Sequence, residues 1–335
     1  MTEQLSLFVG PEPDVGVAGP GDIRPAPVAP ALSATALALP AGIYLGASSW
    51  SFPTWRGLVY ADSYDRSKLA NAGLTAYAAH PLFRCAGVDR TFYAPLAVGE
   101  YERYAAQVPA QFRFLVKAPL GCVSPWLRAD PGNRTVDNPH FLDPAWAQAH
   151  FVVPALTGLR GRAGPLVFQF PPLPRTMVRS PAVFAERLQA FLQELPKGPL
   201  YAVELRDEAL LSEGYLQVLA DAGARHCLGV HPRQPAAAEQ AKLLRRLPPG
   251  PLIVRWNLHP GYAYEEARER YFPFRRLVDE DLPARVTLAR LCLTAVADGH
   301  TAFVVANNKA EGSAPLTIAK LAELIVAEGG AKLRD

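Results

Sequence analysis

YAVELR, residues 201–206, is a short apolar run broken by one glutamate and closed by an arginine. It is too short for a core helix, and its composition suits a buried, pleated segment. Alternation puts Glu204 and Arg206 on one face. A helical pattern precedes it at 181–195, and another short apolar run follows at 227–231. Strand, helix, strand in that order implies parallel pairing through right-handed crossovers.

The same texture repeats outward in both directions. Short runs occur at 43–48, 84–89, 112–117, 166–170, 201–205, 227–231, 252–256 and 301–306. Helical periodicity is clearest at 65–79, 144–159, 181–195, 236–247, 284–297 and 315–327. Eight such units in about 290 residues fit an α/β fold, a closed eight-stranded parallel TIM barrel, for which roughly 250 residues plus insertions is usual. No Gly-x-Gly-x-x-Gly turn follows any strand, which disfavours a doubly wound sheet. The expected division is a barrel domain over 42–335 and a leader over 1–41. From residue 9 to 41 the leader is rich in Pro, Ala and Gly and reads as flexible, because it has little apolar surface to offset its ordering entropy.

The formal net charge is +3, so any anionic partner must be met by local clustering of cations. The four cysteines, Cys85, Cys122, Cys227 and Cys292, have no metal-knuckle spacing and read as reduced thiols of a cytoplasmic protein. No secretory signal or membrane-length apolar run is seen, so no membrane partner is expected.

In such a barrel, chemistry sits at the C-terminal ends of the strands. These ends are polar throughout: Ser48, Asp89, Lys117, Gln169, Glu204 with Arg206, His231, Arg255 with Asn257, and Asn307 with Asn308 and Lys309. If the alternating faces point inward, Asp89, Lys117, Gln169, Glu204, Arg206, Arg255 and Asn307 share one mouth. Carboxylates there serve as acid, base or metal ligand, and guanidiniums match the oxygens of phosphate or carboxylate. Internal pairing of these charges is the structural alternative. Glu204, His231 and His259 are the only set suggestive of a divalent metal, and a hydrogen-bonding histidine is the competing role. Aromatics beside the cations, including Trp50, Tyr93 and Trp256, suit either base or sugar stacking or loop anchoring.

Seven motifs occur in a fixed order: GASSWSFPTWRGLVY (46–60), VDRTFYAPL (88–96), FRFLVKAP (112–119), QFPP (169–172), VELRD (203–207), VRWNLHPG (254–261) and NNKAEGSAP (307–315). Together they resemble the family called domain of unknown function 72, the YecE-like proteins. The resemblance covers nearly everything after Ile43 and implies a TIM barrel. It carries the family pattern onto Trp50, Thr91, Phe92, Tyr93, Lys117, Gln169, Pro171, Glu204, Arg206, Arg255 and Asn307. Two positions depart from it: Gly87 stands where family members commonly have glutamate, and Ser49 where glycine is frequent.

Gln4-Leu5-Ser6-Leu7-Phe8 resembles the peptide by which bacterial replication and repair proteins dock on the DNA sliding clamp. A polar hook and three apolar anchors suit a preformed hydrophobic groove, whereas packing back on the barrel is the alternative.

The sequence therefore supports three expectations. The first is an enzyme on a phosphate-bearing substrate, such as a nucleic-acid phosphodiesterase tied to repair through the clamp. Glu204, Asp89 and Lys117 would be catalytic, with Arg206, Arg255, Gln169, Asn307, Asn308, Trp50, Thr91, Tyr93 and Trp256 binding substrate. The second is a non-catalytic accessory that binds DNA or the clamp. The third is a barrel enzyme on a small sugar or acid.

Overall fold

The computed structural model describes residues 22–128 and 135–332. Every short apolar run is a strand: Ile43–Ala47 (β1), Phe83–Val88 (β2), Arg113–Lys117 (β3), Ala163–Gln169 (β4), Tyr201–Glu204 (β5), Arg225–Val230 (β6), Leu252–Trp256 (β7) and Ala302–Ala306 (β8). Each pairs in parallel with its sequence neighbours. Pairing of Ile43 with Ala302 joins β1 to β8 and closes the barrel. Among the described residues, no helix is long and apolar enough to cross a membrane.

The helical patterns become the outer layer, with local departures. The segment expected at 65–79 is two helices, Arg66–Ala72 and Leu74–Ala78, meeting at Gly73. The segment at 144–159 widens into a π turn over Gln148–Val152. Pro154 accounts for it, since proline donates no backbone hydrogen bond and crowds the preceding turn. The loop after β3 carries a two-stranded antiparallel sheet, Trp126–Arg128 with Thr135–Asp137.

Two apolar layers flank the strands. The larger lies between strands and helices. The smaller fills the barrel and draws Cys85, Leu115, Val167, Ala202, Cys227, Ile253 and Val305 from successive strands, packed with Tyr44. This inner layer sets the parity of each strand. By alternation, Asp89, Lys117, Gln169, Glu204, Arg206, Gly229, Arg255 and Asn307 all lie on the inward face, above it.

The flexible-leader expectation fails for residues 22–41. Pro30–Ala38 is a helix, with Ala36 and Leu39 buried. Pro30 sits in its first turn and Pro40 just beyond its end, where proline is tolerated. The Arg84 guanidinium donates to the carbonyls of Ala36, Leu39, Pro40 and Ile43, collecting acceptors that the helix end would otherwise leave unpaired. Before the helix, the chain runs along the loop after β1, on the mouth face. There Ala26 N donates to Val59 O, Ala61 N to Arg24 O, and Arg24 pairs with Asp62. The peptide Gln4–Phe8 lies outside the described residues.

Candidate active site at the barrel mouth

β5 supplies the centre. Glu204 is fully buried, and its two oxygens face two guanidiniums: Oε1 lies 2.9 Å from Arg206 Nη2, and Oε2 lies 2.6 Å from Arg255 Nη1. Asn257 Nδ2 donates to Oε1 at 3.2 Å. Burial alone pushes this carboxyl up, but Arg206 and Arg255 more than reverse it, and Glu204 is held well below the usual carboxylate range. The second guanidinium nitrogen of Arg255 donates to Asp89 Oδ2 at 2.7 Å, so one arginine from β7 ties the ends of β2 and β5 together.

Lys117 ends β3 and is only 4% exposed. Its Nζ lies 3.4 Å from the centre of the Phe92 ring. Among the described residues, no carboxylate comes within 4.0 Å of that nitrogen, and the mouth carboxylates pair with arginines instead. Burial first, and then the charge of Arg255, lower its ammonium from 10.5 to about 7. Gln169 on β4 pairs in register with Glu204 and is fully buried, yet neither its Nε2 nor its Oε1 has a partner among the described residues. Asp89 Oδ1, Arg206 Nε and Arg255 Nε are likewise buried without partners. Unpaired buried polar atoms are costly, and five of them gather at this mouth, which makes it the candidate site.

The mouth also holds residues outside the expected set. Gln234 Oε1 accepts from Arg206 Nη1 at 2.6 Å, and its Nε2 donates to Leu205 O at 2.8 Å. Its amide occupies the space over Gly229, where an added Cβ would come within 2.2 Å of Gln234 Oε1. The sequence signal was a glycine at an inward strand-end position, facing room for another chain segment. Gly87 has a similar cause: a Cβ there would come within 2.9 Å of the Ser48 backbone. At this spacing a larger side chain would fit only if the backbone shifted.

Other expected residues are placed differently. Asn307 faces inward, donating from Nδ2 to Ser48 Oγ and accepting Lys309 N at Oδ1. Tyr93 is 39% exposed at the rim, close enough for Asp89 to act on its hydroxyl. Thr91 is buried, with Oγ1 within hydrogen-bonding reach of the Val88 and Lys117 carbonyls, so it pins the turn under Phe92. Asn308 points away from the mouth: Oδ1 accepts Trp55 Nε1 and Ala314 N, fixing the loop to the following helix. Trp50 packs edge-on against Tyr104 and donates to Leu69 O, as a loop anchor. Trp256 is fully buried on the outward parity of β7. Trp50, Trp256 and Asn308 thus stand outside the cluster, because parity and packing turn them toward the helices.

The donor set considered for a divalent metal is not assembled. Among the described residues, no three His, Cys, Asp or Glu side chains gather as ligands. Both Glu204 oxygens already face guanidiniums. His259 Nδ1 accepts Gly261 N, and His231 Nδ1 accepts Arg233 N. Burial and the nearby Arg206 keep His231 neutral, with its pKa lowered to about 3.

The comparisons with known proteins agree with this architecture. The family model described as "Protein of unknown function DUF72" matches residues 44–334. A DUF72 protein from Thermotoga maritima MSB8 is 18% identical, with TM-score 0.55 over 85% of this chain and 99% of that one. A DUF72 protein from Enterococcus faecalis V583 is 15% identical, with TM-score 0.53 over 84% of this chain and 95% of that one. No curated protein matches the sequence. The structural likeness speaks for the fold, and the family model spans the whole barrel: the chain belongs to the DUF72 family.

Proposed function

We propose that the barrel mouth binds and transforms a compact substrate carrying a phosphate or carboxylate group. One observation carries the reading: among the described residues, Lys117, Arg206 and Arg255 converge with two carboxylates, Asp89 and Glu204, and the three basic side chains are 2–5% exposed. A bound anion would favour the charged form of Lys117, balance that charge and meet the orphaned guanidinium nitrogens. Glu204, ionised between two arginines, is a weak base and serves as their fixed counter-ion. Asp89 keeps one oxygen without a protein partner, so it is the carboxylate open to a contact with substrate. The depth of the cations favours a small substrate, or the terminal phosphate of a strand, over the flank of a duplex. Calorimetry with inorganic phosphate tests this. Binding that weakens by about ten- to a hundredfold in Arg206→Gln is expected, from the loss of a charge-assisted contact. Absence of phosphate binding, with salt-sensitive DNA binding in its place, would favour the nucleic-acid phosphodiesterase or accessory reading instead.

A second reading rests on Gln4–Phe8 alone: the peptide docks on the bacterial sliding clamp and brings the barrel to DNA. Leu7→Ala with Phe8→Ala should abolish binding to purified clamp and leave the melting temperature unchanged. Undiminished binding would end that reading.

A further inference from the structure

We propose that Lys117 is a nucleophilic amine that condenses with the carbonyl group of a small anionic oxo compound, forming a protonated imine. The inference rests on the anion-binding reading of the mouth and adds the reactive group that the substrate must carry.

The geometry separates Lys117 from the other mouth cations. Arg206 and Arg255 each hold a carboxylate oxygen at 2.9 Å or less, so they are already engaged as counter-ions. Lys117 rests on the Phe92 ring instead, with no carboxylate within 4.0 Å among the described residues. The charged groups acting on it are Asp89 from β2, Glu204 and Arg206 from β5, and Arg255 from β7, while the intervening β4 contributes the neutral Gln169. A lysine retained only for charge would be expected to sit against one of those carboxylates. Burial and Arg255 instead leave its pKa at about 7, so a large share of the amine is unprotonated at neutral pH.

The step balances without an oxidant or reductant. The free amine's lone pair attacks the carbonyl carbon, a C–N bond forms, and the C=O π pair moves to oxygen. That oxygen takes up the proton released from nitrogen, giving a carbinolamine. A second proton lets the oxygen leave as water while the nitrogen lone pair closes the C=N bond. In sum, R–NH3+ and O=C give R–NH+=C and H2O. Asp89 Oδ1 is available to relay the protons, and the unpaired Gln169 amide to hold the oxygen as it changes from carbonyl to hydroxyl. The anionic group of the substrate would meet the guanidiniums of Arg206 and Arg255, whose Nε atoms lack partners among the described residues.

The test uses the full chain at pH 7 and two carbonyl probes, formaldehyde and glyoxylate, each trapped with cyanoborohydride and mapped by peptide mass. Lys197 is an exposed reference amine. Lys117 should be modified at least about tenfold faster than Lys197, because far more of it is free base. Glyoxylate should favour Lys117 over Lys197 more strongly than formaldehyde does, and inorganic phosphate should slow both reactions at Lys117. Modification no faster than at Lys197 with either probe overturns the proposal, and it does so without touching the anion reading if phosphate still binds by calorimetry. Fast formaldehyde labelling with neither a glyoxylate preference nor phosphate protection supports the nucleophile and overturns the anionic character of its partner.

Discussion

Two buried ion clusters lie on the same barrel and are built to different ends. Arg285, in the helix Leu282–Ala297, donates to Glu311 Oε1 in the loop after β8 and to Glu280 Oε2, each at 2.7 Å. Glu311 Oε1 also accepts the backbone N–H of Asp281, so the cluster ties this loop to the start of the helix Leu282–Ala297. Burial raises the Glu311 carboxyl, and Arg285 opposes that shift. Carboxylates outnumber the cation here, and Glu280 shares the excess with solvent. At the mouth the balance is reversed: three cations face two carboxylates, and orphaned donors and acceptors remain beside them. The loop cluster also leaves Arg285 Nε and Glu311 Oε2 without partners, so what sets the mouth apart is the sign of its charge balance and not the orphaned atoms alone. A buried ion pair by itself is therefore poor evidence of function, and the surplus beside it is better evidence.

The comparison can be broken most forcefully at the loop. Arg285→Met should cost about 3–5 kcal/mol of unfolding free energy, because it strands a buried carboxylate, and added phosphate should not restore it. Denaturant midpoints with and without phosphate would show this. Glu204→Gln should cost about 3 kcal/mol, near the lower end of that range, since Asp89 still offsets part of the cationic charge. Removing Glu204 enlarges the cationic surplus, so phosphate should recover more stability in this variant than in the native chain. Equal responses to phosphate in the two variants would erase the distinction drawn between the clusters.

pH sharpens it further. The folded pKa of Lys117, about 7, lies below the 10.5 of an unperturbed lysine, so between these values the unfolded chain binds the extra proton. Stability should therefore rise with pH from 7 toward 9, by up to about 1.4 kcal/mol per pH unit for one such group. Lys309, buried over the Tyr264 ring and likewise lowered to about 7, adds a second contribution of the same sign. Lys117→Met should therefore halve the slope rather than abolish it. Saturating phosphate, by holding Lys117 protonated in the folded state, should have a similar effect in the native chain. The smallest expected effect is at Gln169. Gln169→Leu removes a buried amide without partners and should leave stability unchanged or raise it by about 1 kcal/mol, while weakening binding at the mouth. A clear loss of stability would mean that the amide is satisfied from within the protein.

The fold was legible because each strand announces itself twice, by an apolar run and by a polar residue at its end. Parity did the rest for Asp89, Lys117, Gln169, Glu204, Arg206, Arg255 and Asn307, since side chains on a strand can face only one of two ways. Parity could not speak for loops. Gln234 enters the mouth from beyond β6, and only the gap over Gly229 hinted that something would. Asn308, Trp50 and Trp256 sit close to mouth residues in sequence, but face the packing between barrel and helices. The helix Pro30–Ala38 was hidden because composition alone does not reveal a distant docking partner. Its carbonyls are held by Arg84, more than forty positions away.

That same segment decides where the upstream sequence joins the molecule. Arg24 to Ala26 lie beside the loop after β1, so the chain arrives on the mouth face and only then descends along the helix to the start of β1. The thirteen residues 9–21 span at most about 45 Å when fully extended. A partner gripped by Gln4–Phe8 would consequently be confined to the neighbourhood of the opening. At such separations the effective concentration is in the millimolar range. A mouth with only millimolar affinity for an anionic group carried on that partner would then be filled wherever the anchor holds and nearly empty elsewhere.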